Sequence, residues 1–262
     1  MGSSPLSFPS ATPCPQCRGT GWKLAPAADP GAGMQATRCD CRRVEQQQAL
    51  LEKADIPPRY YHCTLEDFDV TPYPGAPEAL GRARLMAQGF VDNYPLSRTG
   101  LLLMGPCGVG KTHLAVAILN RLIQEKGVDG RFADTRELLK RIQATFDPHN
   151  PASESDVLDP LLKADVLVLD DLGVGRATEW VQETLHYLLN QRYTHERTTL
   201  ITTNFDDSPA GRHRLADGSE IERGKSLSSA IGERMRSRLY EMCRPVQMSG
   251  EDFRRRIHAP GL

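Results

Sequence analysis

The chain has 262 residues, 39% hydrophobic and 25% charged, with a formal net charge of −1. That length accommodates one full α/β domain and a small appendage. The near-zero charge excludes nucleic-acid binding through overall basicity, so any DNA contact needs a local basic surface.

No apolar run approaches the ~20 residues that cross a bilayer, and Met1–Pro13 lacks both the basic and the apolar parts of a secretory signal. Leu6 stands where a myristoylation site has Ser or Thr. A cytoplasmic chain with no membrane attachment is therefore expected. Pro13–Arg42 comes next, rich in Cys, Gly, Pro and Ala and almost without apolar periodicity. Seven cysteines is an odd number, and four crowd into Cys14–Cys41. This argues for a reduced compartment and clustered thiolates rather than a disulfide framework. Cys14 and Cys17 form a C-x2-C pair; after a gap of 21 residues Cys39 and Cys41 form a tighter C-x-C pair. Two close thiolate pairs close a tetrahedral zinc site, and the metal stabilises a unit too small to bury a core. Four merely structural thiols would have no core to join in so polar a stretch.

Arg42–Ala54 reads as a helix, stopped before Ile56-Pro57-Pro58 because a proline pushes its predecessor out of helical geometry. The expected division is thus 1–54, a zinc-binding module with a linker helix, and 55–262, a nucleotide-binding domain. His62 and Cys63, beyond the Pro-Pro turn, read as structural. From Tyr60 onward strands and helices alternate. Strands are expected at Gly100–Met104, Arg131–Asp134, Val166–Asp170, Thr199–Thr203 and Pro245–Met248. Helices are expected at Pro77–Asn93, Lys111–Lys126, Thr135–Phe146, Glu179–Thr194 and Leu227–Met242. Continuous apolar runs such as LLLM and VLVLD suit strands buried on both faces, as in a parallel sheet flanked by helices. Asp147–Asp156 and Phe205–Lys225 read as loops, and no internal repeat is present.

Gly105-Pro106-Cys107-Gly108-Val109-Gly110-Lys111-Thr112 fits G-x-x-x-x-G-K-[ST] and lies between an expected strand and an expected helix, with His113 following. The glycines let backbone N–H groups turn inward around phosphate oxygens, and the helix start adds unpaired donors and its positive dipole end. Lys111 would reach the β- and γ-phosphates of ATP, and the Thr112 hydroxyl would ligate magnesium. Cys107 reads as a tolerated small residue. At the end of VLVLD, Asp170 comes to the carboxyl edge of the sheet, where it would help hold magnesium. Asp171 would orient water or act as a base; an acidic pair capping the next loop is the bland alternative. Asn204 closes an apolar strand, as a turn former or as a group orienting the attacking water.

VLVLDDLG, TEWVQETLHYLLNQRY, LITTN, IGERMRSRL and SGEDFR, in this order, resemble the AAA+ ATPases of the DnaC/DnaI helicase-loader and IstB transposition-helper group. The resemblance spans nearly the whole chain. It implies an AAA+ P-loop fold without a separate lid domain and makes Asn204 the sensor-1 residue. It further implies that Arg238 reaches the ATP of a neighbouring subunit as an arginine finger, with Arg234 a nearby helper. Arg254 matches the sensor-2 arginine, with the adjacent Arg255 and Arg256 leaving the register open. A solvated basic face is the alternative reading of Arg234 and Arg238. Many AAA+ proteins place Glu after the magnesium Asp, whereas Asp171 is one methylene shorter, from which slow, partner-stimulated hydrolysis is expected.

The segment CPQCRGTGW also resembles the zinc motif of DnaJ-type chaperones, but fits better as the N-terminal module of DnaI-like loaders, which grips the replicative DNA helicase. Thr135–Phe146 and the loop after it stand where loader and initiator relatives carry their single-strand-binding element. There Lys140, Arg141 and Gln143 would follow phosphates and Phe146 would stack on a base, or else join the core. Arg212, His213 and Arg214 form a second candidate patch. The expected function is ATP-dependent loading of the replicative helicase onto single-stranded DNA by an ATP-dependent homo-oligomer. An IstB-like transposition helper and a nucleotide switch with negligible turnover are the alternatives.

Overall fold

The computed structural model describes residues 14–26, 33–70, 78–173, 178–205, 207, 212–214, 220–222 and 226–254, with 212–214 and 220–222 as backbone only. Met1–Pro13, Arg255, Arg256 and the side chains of Arg212, His213 and Arg214 lie outside the described residues. The chain divides into two compact units, Met1–Ala49 and Leu50–Leu262.

In the first unit two strands, β1 (Trp22–Pro26) and β2 (Met34–Arg38), pair antiparallel with Trp22 opposite Arg38 and Pro26 opposite Met34. The sequence reading did not foresee this hairpin, because its strands are only five residues each and none of the ten residues is buried. Helix α1 (Asp40–Lys53) begins two residues earlier than expected, with the Asp40 carboxylate in its first turn, where the helix dipole favours an anion. The division between units falls inside this helix: Leu50, Leu51 and Ala54 already pack in the core of the second unit.

The second unit runs α2 (Ala79–Asn93), β3 (Gly100–Met104), α3 (Lys111–Lys126), β4 (Gly130–Asp134), α4 (Thr135–Ala144), α5 (Glu154–Lys163), β5 (Val166–Asp170), α6 (Glu179–Thr194), β6 (Thr198–Thr203), β7 (Arg212–Arg214), β8 (Glu220–Glu222), α7 (Leu227–Ile231), α8 (Glu233–Met242) and β9 (Cys243–Gln247). Five of these strands form one parallel sheet in the order β4–β5–β6–β3–β9, while β7 and β8 make a small antiparallel pair. Every residue of β3 and β5 is buried, which is why both read as unbroken apolar runs. Leu101, Leu103, Val166 and Val168 pack with Ala83, Val91, Leu114 and Ile118 of α2 and α3. Leu102, Leu167, Leu169 and Ile201 pack with Leu138, Leu161, Leu188 and Leu239 of α4, α5, α6 and α8. The result is a three-layer α/β/α unit, each buried Leu or Ile contributing about 1.5–3 kcal/mol of transfer free energy.

Four expectations are corrected. The stretch Phe205–Lys225, read as a loop, carries the paired short strands β7 and β8. The stretch read as a loop to Asp156 starts a helix at Glu154: Ser153 and Asp156 form a reciprocal cap, with Ser153 N–H donating to Asp156 Oδ2 at 2.8 Å and Asp156 N–H to Ser153 Oγ at 3.2 Å. Pro160 inside α5 masked it, although Val157, Leu158 and Leu161 are buried. The single helix expected over Leu227–Met242 is broken at Gly232, whose φ of 84° and ψ of 151° no helix admits. Helix α4 ends at Ala144, which leaves Phe146 beyond it. In α7 and α8 Ile231, Met235 and Leu239 are buried and Met242 packs partly buried against them.

Arg192 is completely buried and has no carboxylate hydrogen-bonded to it among the described residues. Its guanidinium donates to the carbonyls of Leu161 (2.5 Å) and Ala164 (3.0 Å) at the end of α5, and to Thr198 O (2.6 Å) and Thr199 Oγ1 (3.0 Å) at the start of β6. Burial pulls its pKa down to about 9, which still leaves the charge in place at neutral pH. Among the described residues no helix is long and apolar enough to cross a membrane.

Candidate nucleotide site and metal centre

The carboxyl ends of β3, β5 and β6 are neighbours in the sheet, so the loops leaving them converge on one edge. The loop after β3 is Gly105–Gly110. Gly110, at φ 93°, turns the chain into α3, and a Cβ there would stand 2.7 Å from the Phe68 ring. Gly108, at φ 81°, has Asp252 against it, so a Cβ would fall 1.8 Å from Asp252 Oδ1. Lys111, 5% exposed, donates to Gly105 O (2.9 Å), Pro106 O (2.7 Å) and Asn204 Oδ1 (2.7 Å). Burial pulls its pKa below the ordinary lysine value.

Asp170, at the end of β5, accepts from Thr112 Oγ1 at 2.9 and 3.1 Å and from Thr202 Oγ1 at 2.6 Å. Burial pushes its pKa up to about 6, against the lowering effect of the Thr202 and Thr112 hydroxyls. A hydroxyl and a carboxylate in contact are hard oxygen donors, the set that suits magnesium rather than a thiophilic metal. Asp171 is left-handed, at φ 55°; its N–H donates to Thr202 Oγ1 at 2.9 Å, and its Oδ1 accepts from Asn204 Nδ2 at 3.1 Å. Asn204 therefore ties Lys111 to Asp171, a link beyond the reach of a simple turn former.

These groups line a cavity of about 380 Å³ that also takes in Cys107, Val109, His113 and Arg254. His113 Nε2 lies 3.0 Å from Thr64 O, and its ring sits 5.7 Å from that of Phe68. The opposite wall comes from Pro57, Arg59, Tyr60, Phe68, Val70 and Leu80. The sequence reading missed this wall, having taken the Pro-Pro turn only as a helix stop; the apolar and aromatic residues after that turn were the available signal.

Neither Arg234 nor Arg238 lines this cavity. Arg238 is half-buried: it contacts His186 Nε2 at 3.2 Å, hydrogen-bonds Asn190 Oδ1, and stands 5.9 Å from the Tyr193 ring centre, all on α6. Arg234 is exposed and makes no hydrogen bond or ion pair among the described residues. Arg236 pairs through two nitrogens with the Asp207 carboxylate. On α4, Lys140, Arg141 and Gln143 are exposed, and Phe146 is 57% exposed with its ring edge-on to Trp180 at 5.9 Å.

In the first unit the Sγ atoms of Cys14, Cys17, Cys39 and Cys41 all lie within 4.8 Å of one another. The closest pairs, Cys17–Cys41 at 3.4 Å and Cys14–Cys39 at 3.8 Å, are too far apart for disulfides. They match the edges of a tetrahedron with metal–sulfur bonds of ~2.3 Å. The tight C-x-C works because Cys39 precedes α1 while Cys41 occupies its first turn. Burial opposes ionisation of Cys17, but the Gly21 backbone and the Cys41 thiol outweigh it, bringing its pKa to about 6. The chemistry of the set suits zinc.

Known proteins resemble this chain over most of its length. The model of the IstB-like ATP binding protein family matches residues 34–259. The replicative helicase loader DnaC of Escherichia coli (strain K12) is 26% identical over 62% of this chain and 63% of its own length. The uncharacterised protein YqaM of Bacillus subtilis (strain 168) is 28% identical over 79% of this chain and 61% of its own. The chain thus spans about three fifths of the length of these relatives. A solved crystal structure of the DnaC helicase loader is 33% identical with a TM-score of 0.59, over 74% of this chain and all of that one.

Proposed function

The chain belongs to the IstB-like ATP-binding protein family, and we propose that it acts as an ATP-dependent loader of the replicative DNA helicase onto single-stranded DNA. Membership in this AAA+ group makes it a nucleotide-binding ATPase. The observation that carries the loading reading is the likeness to DnaC at 33% identity over a structure covered in full. The exposed Lys140, Arg141, Gln143 and Phe146 support contact with a single strand, three charged or polar groups for phosphates and a ring for a base.

In this reading residues 55–262 perform the ATP chemistry. The loop Gly105–Gly110 and Lys111 cradle the phosphates, and Thr112 and Asp170 hold magnesium, which would neutralise charge developing on them. Asn204, bonded to both Lys111 and Asp171, registers the γ-phosphate; Asp171 orients water over a short reach, so hydrolysis is slow until a partner adjusts it. Arg254 contributes from the same chain. Subunits assemble side by side when ATP is bound, and α8 presents an arginine to the neighbour's nucleotide. Being unpaired, Arg234 is freer to make that reach than Arg238, which α6 retains. Residues 1–54 hold zinc through Cys14, Cys17, Cys39 and Cys41 and engage the helicase, in the reducing cytoplasm.

The test is transfer of the replicative helicase of the native cell onto a single-stranded circle, with ATP, by wild-type and Lys111→Ala protein. ATP-dependent transfer by the wild type alone is expected. No transfer by either, alongside stimulation of a transposase, would replace this reading with a transposition helper.

A further inference from the structure

Along β1 and β2 side chains alternate between two faces of the hairpin. On one face Trp22, Leu24, Pro26, Met34, Ala36 and Arg38 are all exposed, Trp22 at 55%, Leu24 at 69% and Met34 at 60%. The register sets Arg38 directly opposite Trp22, so their side chains leave the same face as cross-strand neighbours. Three large apolar side chains left in solvent on one face of so small a unit mark a surface for a ligand.

Charge decides which kind. Among the described residues of this unit both carboxylates are taken: Asp40 pairs with Lys23 at 2.5 Å and Glu45 with Arg42 at 3.6 Å. Arg18, Arg38 and Arg43 are exposed, and their side chains form no hydrogen bond or ion pair among the described residues. Among the described residues the unpaired side-chain charge outside the thiol cluster is therefore positive. A metal held by four thiolates is itself anionic, but Cys17 and Cys39 are buried while the guanidiniums stand in solvent. An apolar protein partner would account for Trp22, Leu24 and Met34; flat bases joined by phosphates account for these and for the free arginines together.

We propose that this hairpin face is a second single-strand nucleic-acid site, separate from the one on α4. A base stacks on Trp22, Leu24 and Met34 support its neighbour, and Arg38 and Arg18 hold the phosphates between. The inference does not depend on the helicase reading, since it rests on the first unit's own surface.

The experiment uses full-length, zinc-loaded protein and a fluorescein-labelled oligo(dT) strand. Trp22→Ala should weaken binding about 5- to 100-fold, the range of one lost stacking contact. Trp22→Phe, which keeps a ring, should restore most of it. Arg38→Ala should lower the slope of log affinity against log salt by about 0.7, one phosphate's share on a single strand. Zinc content measured on each variant distinguishes a lost contact from a lost fold. On the unaltered chain, photo-cross-linking to a strand carrying 5-bromodeoxyuridine should label the Trp22 peptide as well as the α4 peptide. Oligo(U) titrated in parallel tells whether DNA or RNA is preferred, with the same dependence on Trp22 for either. Labelling confined to α4, or wild-type oligo(dT) affinity in zinc-loaded Trp22→Ala, overturns the proposal. Loss of helicase capture by Trp22→Ala with strand binding intact also overturns it, by making the face a protein-docking surface.

Discussion

Asp170 is asked to be a carboxylate where burial favours the acid. Its pKa is raised from 3.8 to about 6, so the folded protein holds the proton more tightly than the unfolded chain does. The contribution of this group to stability in the absence of ligand is therefore fully present below the unfolded value and is lost as pH rises through about 6. Asp170→Asn should remove that penalty and stabilise the ligand-free fold by on the order of 1–3 kcal/mol at pH 8 but hardly at pH 4. The same substitution should abolish the extra stabilisation given by magnesium and ATP. Thermal melts at both pH values, with and without nucleotide, check this; identical pH dependence in wild type and variant would contradict the assignment. Gly108→Ala makes a steric case at the same site. A left-handed residue with Asp252 where its Cβ must go should displace the segment carrying Arg254 and weaken ATP binding by about tenfold or more, read by titration with a fluorescent ATP analogue. The phosphate loop was legible in sequence because its conformation is local, set by Gly and Lys at fixed spacing. The bond from Asn204 to Lys111 was not, since it joins residues 93 apart.

Helix α8 shows what a helical wheel settles and what it leaves open. Four residues apart, Arg234 and Arg238 share one flank of the helix; packing separates them, because Arg238 contacts His186, Asn190 and Tyr193 of α6 while the Arg234 side chain makes no hydrogen bond or ion pair among the described residues. Arg234→Ala should keep ATP affinity and melting temperature yet lose hydrolysis by roughly 10³-fold or more, the scale of an arginine acting in trans. Mixed with Lys111→Ala protein it should recover part of that loss. Arg238→Ala should instead lower stability by about 1–3 kcal/mol. ATPase assays beside melts separate the two; the reverse pattern would return the finger to Arg238. Helix α5 rests on a cap that four residues define and on Arg192, which sits 31 residues beyond Leu161. Arg192→Leu leaves the carbonyls of Leu161, Ala164 and Thr198 buried without donors, and urea unfolding should show a loss of about 2–5 kcal/mol.

At the scale of the molecule, the two units are stabilised by different means. The second buries both faces of a five-stranded sheet, while in the first only Cys17, Gly21 and Cys39 are buried among the described residues. Cys14→Ser with Cys17→Ser should therefore abolish a stoichiometric zinc content and leave ATP binding intact, as checked by metal analysis and nucleotide titration on one preparation. The sequence by itself determined the parallel sheet, the phosphate loop, the acid at the end of β5 and the four thiolates. Each is written in a periodicity or a spacing of a few residues, which local geometry translates without help. Only the tertiary structure decided that Asn204 joins Lys111 to Asp171, that residues after the Pro-Pro turn wall the nucleotide cavity, that Arg238 is retained by α6, and that the hairpin leaves Trp22 in solvent beside Arg38. These depend on which surfaces meet across tens of residues of chain, and a contact made by packing leaves no period in the sequence to read.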